Sequence, residues 1–136
     1  MPYSIEHRLP TAQQWMRLRE SVGWPTFDAV SAEKSLWATL FCVCAFDQGE
    51  LIGMARVLGD GVISFYVGNV MVKPERQNEG VGREIMEHIM RYVGKNAAHG
   101  AIASLMSIAG KEEFYTQFGF AKRPNDGEGC GMSRRY

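Results

Sequence analysis

The sequence has no surplus of charge of either sign and no long apolar run. Fifteen lysines and arginines balance fifteen aspartates and glutamates in 136 residues. A chain without a net positive field is not drawn to nucleic acid or to an anionic membrane surface. No segment approaches the roughly 20 apolar residues that span a bilayer, and the N-terminus lacks the apolar stretch of a signal peptide. We therefore expect a cytoplasmic protein that binds neither nucleic acid nor a membrane.

Residues that form disulfides or bind metals are also scarce. The three cysteines show no repeated CxxC spacing, and the three histidines are scattered along the chain. Zinc sites need clustered cysteine or histidine ligands. Cys42 and Cys44 alternate within the apolar run "LFCVCAFD" and are expected in the core. The sequence therefore predicts no metal site.

What the sequence does contain is a continuous alternation of short elements. A hydrophobic content of 46% can supply one core, and no repeat, low-complexity tract or linker divides the chain. A length of 136 residues is ordinary for one compact domain. We predict a single domain that covers residues 1–136.

The first half of the chain predicts a strand, two helices and then three strands. "YSIEHRL" alternates as a strand does, Thr11 is expected to cap a helix that stops at Gly23, and Ser31 is expected to cap a second helix. The runs "LFCVCAFD", "ELIGMARVL" and "VISFYVGNVMV" are separated by turn residues. This spacing indicates an antiparallel three-stranded meander.

The second half has its clearest signal in residues 77–94, where apolar residues recur at helical spacing. Glu79 would lie in the first turn of this helix and Lys95 at its end, as the helix dipole favours. The strand "GAIASLMSI" follows the helix, so it should run parallel to the strand before. "GKEEFYTQFGF" predicts another short helix, and the glycine-rich tail 119–136 is expected to close a final hairpin.

The stretch "VMVKPERQNEGVG", residues 70–82, joins a strand to a helix through a proline-containing turn. Gln77, Gly80 and Gly82 form the pattern QxxGxG at the helix N-terminus. Free N–H groups and the dipole there favour an anion, and glycine lets a phosphate approach the backbone. Close packing of the helix on the sheet is the alternative. Ile85 breaks the dinucleotide pattern GxGxxG, and no GK[ST] follows.

Together with "FYTQFGF" at residues 114–120, this motif resembles the GCN5-related N-acetyltransferase (GNAT) superfamily, whose members carry [QR]xxGx[GA] and FYxxxGF. The resemblance extends over essentially the whole chain. It implies an α/β (α+β) fold with a mixed central sheet of about six to seven strands, flanked by about four helices. It also implies a bulged central strand that splays from its parallel neighbour.

The resemblance implies acetyl-CoA as the co-substrate. Met71 and Val72 would pair with the pantetheine arm and the thioester, and an N–H group near them would stabilise the oxyanion. Arg83 could add charge near the phosphates or could be a solvated helix residue. The asparagine that often precedes FYxxxGF is replaced by "SIAGKEE", where Ser107 or Lys111 could substitute. The pyrophosphate would be bound by the backbone of Gln77, Asn78, Glu79, Gly80, Val81, Gly82 and Arg83.

The catalytic chemistry needs a proton donor and a proton acceptor. Tyr115 matches the position that donates to the departing thiolate in the family, although a tyrosine between aromatic neighbours could also pack in the core. Glu33, Asp28 and Glu112 are candidates for the base, and each could equally be a surface or capping carboxylate. The sequence does not choose among them.

By analogy with the family, the acceptor would lie against Trp24, Phe27, Phe65 and Asn69. Phe65 and Tyr66 face opposite sides of a strand, so one of them belongs to the core. An aromatic pocket suits a small amine or an apolar side chain.

The resemblance thus predicts an acetyl-CoA-dependent N-acetyltransferase that transfers an acetyl group to a primary amine of a small molecule or peptide by direct attack on the thioester. The alternative is a catalytically silent acyl-CoA-binding sensor or regulatory module. A different acyl group or an oxygen acceptor is a weaker possibility. A homodimer is also compatible, because C-terminal strands often join subunits in this family.

Overall fold

The structure, a computed structural model, describes residues 2–136 and contains one five-stranded sheet. The strands are β1 (Ser4–Glu6), β2 (Phe41–Asp47), β3 (Glu50–Gly59), β4 (Ser64–Val72) and β5 (Ile102–Ser104). They lie in the order β1-β2-β3-β4-β5. Pairing is antiparallel from β1 to β4 and parallel between β4 and β5. The predicted meander and the predicted parallel pair are therefore confirmed.

Four helices accompany the sheet: α1 (Ala12–Ser21), α2 (Ala29–Trp37), α3 (Val81–Asn96) and α4 (Glu112–Thr116). α3 packs on one face of the sheet, where its side chains join those of β2, β3 and β4 in the main core. α1 and α2 cover the other face in a second cluster, which includes the buried Cys42 and Cys44. The mixed architecture predicted from the sequence is confirmed.

The beginnings of α1 and α2 differ in how well they were predicted. The Thr11 hydroxyl accepts a hydrogen bond from the Gln14 N–H (3.0 Å), and the Gln14 side chain accepts one from the Thr11 N–H (2.9 Å), which completes a capping box. Thr11 is therefore the cap, as predicted. The prediction of Ser31 as the second cap was wrong, because the Asp28 carboxylate accepts from the Ser31 N–H (2.8 Å) and α2 begins at Ala29.

The third helix begins later than the apolar periodicity predicted. A 3₁₀ turn at Pro74–Arg76 is followed by Asn78 and Gly80 in the left-handed region (φ 65° and 87°), which a right-handed helix cannot contain. α3 therefore starts at Val81 and not near Gln77. Glu79 lies before the helix and pairs with Arg76 (3.1 Å), whereas Lys95 lies in the last turn as predicted.

The predicted C-terminal hairpin is absent from the described chain. Residues 121–136 are exposed and contain only an isolated bridge between Asn125 and Glu128. The sheet consequently has five strands and not the six to seven expected. The tail "AKRPNDGEGCGMSRRY" has few apolar side chains and no alternation, so it has little to bury against the sheet.

A pair of histidines connects the chain after β1 to α3. His7 Nε2 and His88 Nδ1 are 2.8 Å apart, next to the stacked rings of Phe41 and Tyr92 (centroids 4.3 Å apart). Burial, followed by the nearby Arg91 and His7, lowers the pKa of His88. The folded state therefore favours a neutral His88.

Acidification should weaken the fold through this histidine. Because the pKa of His88 is lower in the folded than in the unfolded chain, the unfolded chain takes up the proton first, and stability falls as the pH drops below about 6.5. The loss should end once the pH is below the folded-state pKa. Urea unfolding at a series of pH values measures this loss of stability. His88→Gln should flatten this part of the profile, whereas the exposed control His99→Gln should not; equal profiles for both variants would contradict the assignment.

Candidate active site

β4 and β5 separate after a short stretch of pairing, and a cleft opens between them. The parallel pairs run only from Ser64–Ile102 to Tyr66–Ser104, while β4 continues to Val72. The cleft has a volume of about 500 Å³. It is lined by Arg19, Trp24, Pro25, Arg56, Leu58, residues 66–70, residues 105–108, Tyr115 and Arg135. The splayed parallel pair that the resemblance implied is therefore present.

A bulge in β4 lies at the point where the cleft opens. Met54 faces Met71 and Arg56 faces Gly68, so two steps along β3 correspond to three along β4. Asn69, within the longer segment, adopts φ 54° in the left-handed region. Such a bulge leaves one residue without a partner and turns the strand. The bulge expected in the central strand is confirmed.

The direction of the backbone in β4 determines which N–H groups face the cleft side. The Lys73 N–H donates to the Ile52 carbonyl on β3 (2.8 Å). Because alternate residues of an antiparallel strand face the same neighbour, the Met71 N–H also points to β3. The N–H group of Val72 then points to the open edge, and Val70, which lies in the bulge and on the cleft wall, has no paired residue on β3. The Met71 side chain is buried in the core, 3% exposed.

The N-terminus of α3 presents unused backbone donors beside this edge. The first backbone bond of the helix runs from the Glu84 N–H to the Gly80 carbonyl (3.0 Å). The N–H groups of Val81, Gly82 and Arg83 therefore have no acceptor within the helix. We call residues 77–83, the loop before α3 together with the three residues that carry these donors, the cradle.

The two glycines of the cradle differ in backbone conformation and in what a side chain there would meet. Gly80 has φ 87°, a conformation that other residues rarely adopt, and a Cβ there would meet nothing within 4 Å. A Cβ on Gly82 would lie 3.4 Å from Val72 Cγ2 and 3.6 Å from Phe114 Cζ. Gly80 thus leaves open space in front of the helix, whereas a Cβ on Gly82 would make ordinary van der Waals contacts with β4 and α4.

The side chains of the cradle are held by their neighbours. The Gln77 amide donates to the Val72 carbonyl (3.0 Å) and so ties the cradle to β4. The Arg83 guanidinium donates to the Gln117 side chain and lies 3.6 Å from Glu87. The Arg83 guanidinium is therefore held by Glu87, one turn further along α3, and by Gln117, the residue after α4.

Tyr115 of α4 lines the cleft. Its ring makes edge contacts with Phe114 and Phe120, at centroid distances of 5.0 and 6.5 Å. Burial, with a smaller effect from Tyr66, raises the pKa of Tyr115. The hydroxyl therefore keeps its proton at neutral pH and can act as a hydrogen-bond donor.

The residues predicted to contact the acceptor are only partly brought together. Trp24 and Asn69 line the cleft. Phe27 is 56% exposed and does not line it, although its ring lies 5.2 Å from the Arg19 guanidinium carbon. The expectation for Phe65 was wrong: it is 3% exposed in the core under α3, and alternation places Tyr66 in the cleft instead.

The candidate bases lie elsewhere. Asp28 caps α2, Glu112 accepts a hydrogen bond from the Gly110 N–H (2.9 Å), and Glu33 is exposed on α2. No carboxylate within residues 2–136 lines the cleft. Ser107 does line it, whereas Lys111 does not.

Three arginines that line the cleft, Arg19, Arg56 and Arg135, were missed from the sequence. Arg56 is 5% exposed in the middle of β3, and its Nε donates to the Asn69 side chain (2.6 Å). A single arginine inside the apolar run "ELIGMARVL" was a usable signal, because a buried charge needs partners. Arg19 on α1 had no comparable signal among the other charged residues of its helix.

A comparison with known families identifies the fold. Residues 38–122 match the family model described as "Acetyltransferase (GNAT) domain". The chain belongs to the GNAT family of acetyltransferases. The resemblance predicted from the two motifs is therefore confirmed. Within residues 2–136, this GNAT chain has no helix long and apolar enough to cross a membrane.

Several relatives share this GNAT fold. A probable acetyltransferase of unknown function from meticillin-resistant Staphylococcus aureus has a crystal structure with 32% identity and a TM-score of 0.91, and the match covers 99% of this chain and 100% of that one. "Serotonin N-acetyltransferase 2, chloroplastic" from Oryza sativa subsp. japonica is 33% identical over 87 residues, 63% of this chain and 42% of the rice protein. "Uncharacterized N-acetyltransferase ycf52-like" from Prochlorococcus marinus is 29% identical over 120 residues, 85% of this chain and 65% of that protein. The GNAT chain thus spans less than two thirds of these two curated relatives.

Proposed function

We propose that residues 1–136 form a single GNAT domain that transfers an acetyl group from acetyl-CoA to a primary amine of a small molecule or peptide. The cleft between the diverging edges of β4 and β5 carries this proposal. Val70 and Tyr115 line this cleft, and the end of β4 at Val72 is tied by Gln77 to the cradle with its unused N–H groups. A phosphate-bearing thioester needs donors at both of its ends, and these residues supply them.

The cradle fits a pyrophosphate. The N–H groups of Val81, Gly82 and Arg83 point out of the helix end, where the dipole favours an anion. Gly80 leaves the approach open, and Gln77, Asn78 and Glu79 form the loop that leads into it. A Cβ built on Gly80 would have no atom within 4 Å, so the space at this point is open.

The edge of β4 fits an extended amide-containing arm. Val72 offers its N–H at the open edge, while its carbonyl already accepts from Gln77. The N–H of Val70, next to the bulge and on the cleft wall, is placed to stabilise the oxygen that gains charge as an amine attacks a thioester. Met71 contributes by its buried side chain, which anchors the strand, and not by its N–H group.

The transfer forms a carbon–nitrogen bond and breaks a carbon–sulfur bond. The thiolate that leaves belongs to a thiol with a pKa near 8.5, and Tyr115 can donate its proton to the sulfur. The proton that the nitrogen loses as the amide forms then restores the Tyr115 hydroxyl. The acceptor ammonium must lose a proton first. Because no carboxylate within the described residues lines the cleft, that proton passes to water in the open cleft.

The test of this proposal separates binding from chemistry. Calorimetry with CoA measures binding, and thiol release across polyamines, amino acids, amino sugars, arylalkylamines and peptides measures transfer. Mass spectrometry of the product identifies the acyl group and the atom that receives it. Failure to bind CoA would overturn the proposal, whereas binding without thiol release would favour an acyl-CoA sensor.

The cellular location and the oligomeric state of the protein belong to the same proposal. A cytoplasmic location agrees with the free thiols of Cys42 and Cys44. Their sulfur atoms are 3.8 Å apart and are not joined by a disulfide bond. Fractionation of the source cells would test it. A homodimer is proposed from the family resemblance, and light scattering of the purified chain would decide between one and two copies.

Gly80→Ala should weaken CoA binding by about tenfold and lower the free energy of unfolding by about 1 kcal/mol. The substitution places a methyl group in the open approach to the cradle and strains a backbone with φ 87°. Calorimetry and urea unfolding measure the two effects. Gly94→Ala is the control, because Gly94 lies inside α3 with nothing near its Cβ position and should gain about 0.5 to 1 kcal/mol. Unchanged CoA affinity in Gly80→Ala would remove Gly80 from the binding surface.

A further inference from the structure

The charged side chains that line the cleft all have the same sign. Arg19, Arg56 and Arg135 contribute to the lining, and no aspartate or glutamate within residues 2–136 does. The chain as a whole has no net charge, so this local excess is not a property of the composition. The acceptor end of the cleft is therefore a positive site on a neutral protein.

Arg56 is buried without an anionic partner. Its guanidinium donates to the Asn69 side chain (2.6 Å), the Ser35 carbonyl (2.9 Å), the Thr39 hydroxyl (2.9 Å) and the Ser35 hydroxyl (2.8 Å). All of these acceptors are neutral. Burial lowers the pKa of Arg56, and the nearby Arg19 lowers it further. Its positive charge is thus solvated by dipoles and balanced by no carboxylate.

Arg19 lies beside it among aromatic rings. Its Nε donates to the Pro25 carbonyl (2.6 Å), and its guanidinium carbon lies 5.5 Å from the Trp24 ring and 5.2 Å from the Phe27 ring. Arg19 and Arg56 also share the Trp15 indole, at 5.7 and 4.6 Å from its centroid. Two guanidinium groups are therefore held against one ring at the cleft wall.

Five other cations of the chain are paired with carboxylates. Arg8, Lys73, Arg76, Arg83 and Lys122 each lie within 4.0 Å of a carboxylate, but none of the ion pairs within residues 2–136 includes Arg19 or Arg56. Like charges near one another in a partly desolvated cleft repel, and the repulsion is relieved when an anion binds. Guanidinium groups bind carboxylates and phosphates through paired donors.

We infer that the acceptor is a primary amine that also carries an anionic group, a carboxylate or a phosphate, and that Arg19 binds this group beside Arg56. The inference rests on the proposed acetyl transfer and names the class of its acceptor. An acceptor with only positive charges, such as a polyamine, would add its charge to that of the two arginines. Trp24 and Tyr66 supply the apolar surface for the rest of the molecule.

Matched acceptors that differ only in the anion test the inference. Phenylalanine is compared with phenethylamine for a carboxylate, and glucosamine 6-phosphate with glucosamine for a phosphate. We expect kcat/KM to favour at least one anionic member over its partner by about tenfold or more, since a hydrogen-bonded charge contributes about that much to recognition. Calorimetry of the same four compounds with the CoA-loaded protein gives a second measurement that does not need turnover.

Substitutions of Arg19 show whether the preference comes from this side chain. Arg19→Met keeps an apolar stem against the rings and should reduce the preference about tenfold, while Arg19→Lys should retain part of it. Arg17→Met is the control, because Arg17 is exposed on the same helix and does not line the cleft. Circular dichroism confirms that each variant is folded before it is compared.

The outcomes separate the two proposals. Turnover without a preference for either anionic compound, or a preference that persists in Arg19→Met, would overturn the inference and leave acetyl transfer standing. Selective binding of an anionic compound without thiol release would support the anion site and count against acetyl transfer. Binding of none of the four compounds to the CoA-loaded protein would also overturn the inference.

Discussion

Tyr115→Phe is expected to lower kcat by about 100-fold and to leave the affinity for CoA within about threefold of the original. The substitution removes only the hydroxyl, so the edge contacts with Phe114 and Phe120 are kept. The lost group is the proposed donor to the departing sulfur. Because a thiol leaves more readily than an alcohol or an amine, the effect should lie at the lower end of what proton donors contribute.

Single-turnover measurements separate this effect from binding and product release. Tyr92→Phe is a suitable control, because Tyr92 stacks on Phe41 away from the cleft and should keep its full kcat. Burial raises the pKa of Tyr115, so its deprotonation should not reduce kcat between about pH 7 and pH 9. A variant with unchanged kcat would show that Tyr115 only packs beside the cleft.

Arg56→Met should lower the free energy of unfolding by about 2 to 3 kcal/mol and should also reduce kcat. Methionine has an apolar stem of similar length, so packing on Trp15 is largely kept. The acceptors on Ser35, Thr39 and Asn69 lose their donor at the same time. We attribute the fall in kcat to the bulge, because Asn69 is then no longer held at φ 54° beside the N–H of Val70.

Substitutions of Asn69 distinguish the loss of the bond from the loss of the bulge. Asn69→Gly removes the side-chain acceptor, but glycine adopts positive φ freely. Asn69→Ala removes the acceptor and also introduces a residue that is strained at positive φ. We expect kcat to fall more in Asn69→Ala than in Asn69→Gly. A double-mutant cycle of Arg56→Met with Asn69→Gly, measured by urea unfolding, gives the energy of their direct interaction. Additive effects would show that the two residues act independently.

The fold of the segment that we propose binds the cofactor could be predicted because it is nearly continuous in sequence. Strand, turn, cradle and helix follow one another between Val70 and the end of α3, so the residue pattern itself carries the geometry. The start of α3 was misplaced because apolar periodicity is insensitive to the sign of φ at Asn78 and Gly80. The choice between Met71 and Val72 depended on strand register, which a single sequence does not contain.

Apart from Trp24 and Asn69, the cleft proposed for the acceptor could not be predicted because distant segments build it. Arg19 from α1, Arg56 from β3 and Arg135 from the tail meet only in the folded chain. Arg19 and Arg135 are ordinary charged residues in their local sequences, where charged residues are usually solvated, and only Arg56 lies within an apolar run. The sequence also could not decide which of Phe65 and Tyr66 faces the core. Alternation places them on opposite faces of the strand but does not show which face is buried.

Under the proposed function, the open edge of β4 should also make the lifetime of the protein depend on CoA. The outward N–H groups beyond Tyr66 have no strand partner, so a molecule that occupies this edge binds the folded chain and not the unfolded one. A ligand at a hundred times its dissociation constant adds about 2.7 kcal/mol to the free energy of unfolding, a large share of the 5 to 15 kcal/mol typical of a domain. Proteases that cut unfolded chains would then remove the protein about a hundredfold more slowly when CoA is abundant than when it is scarce.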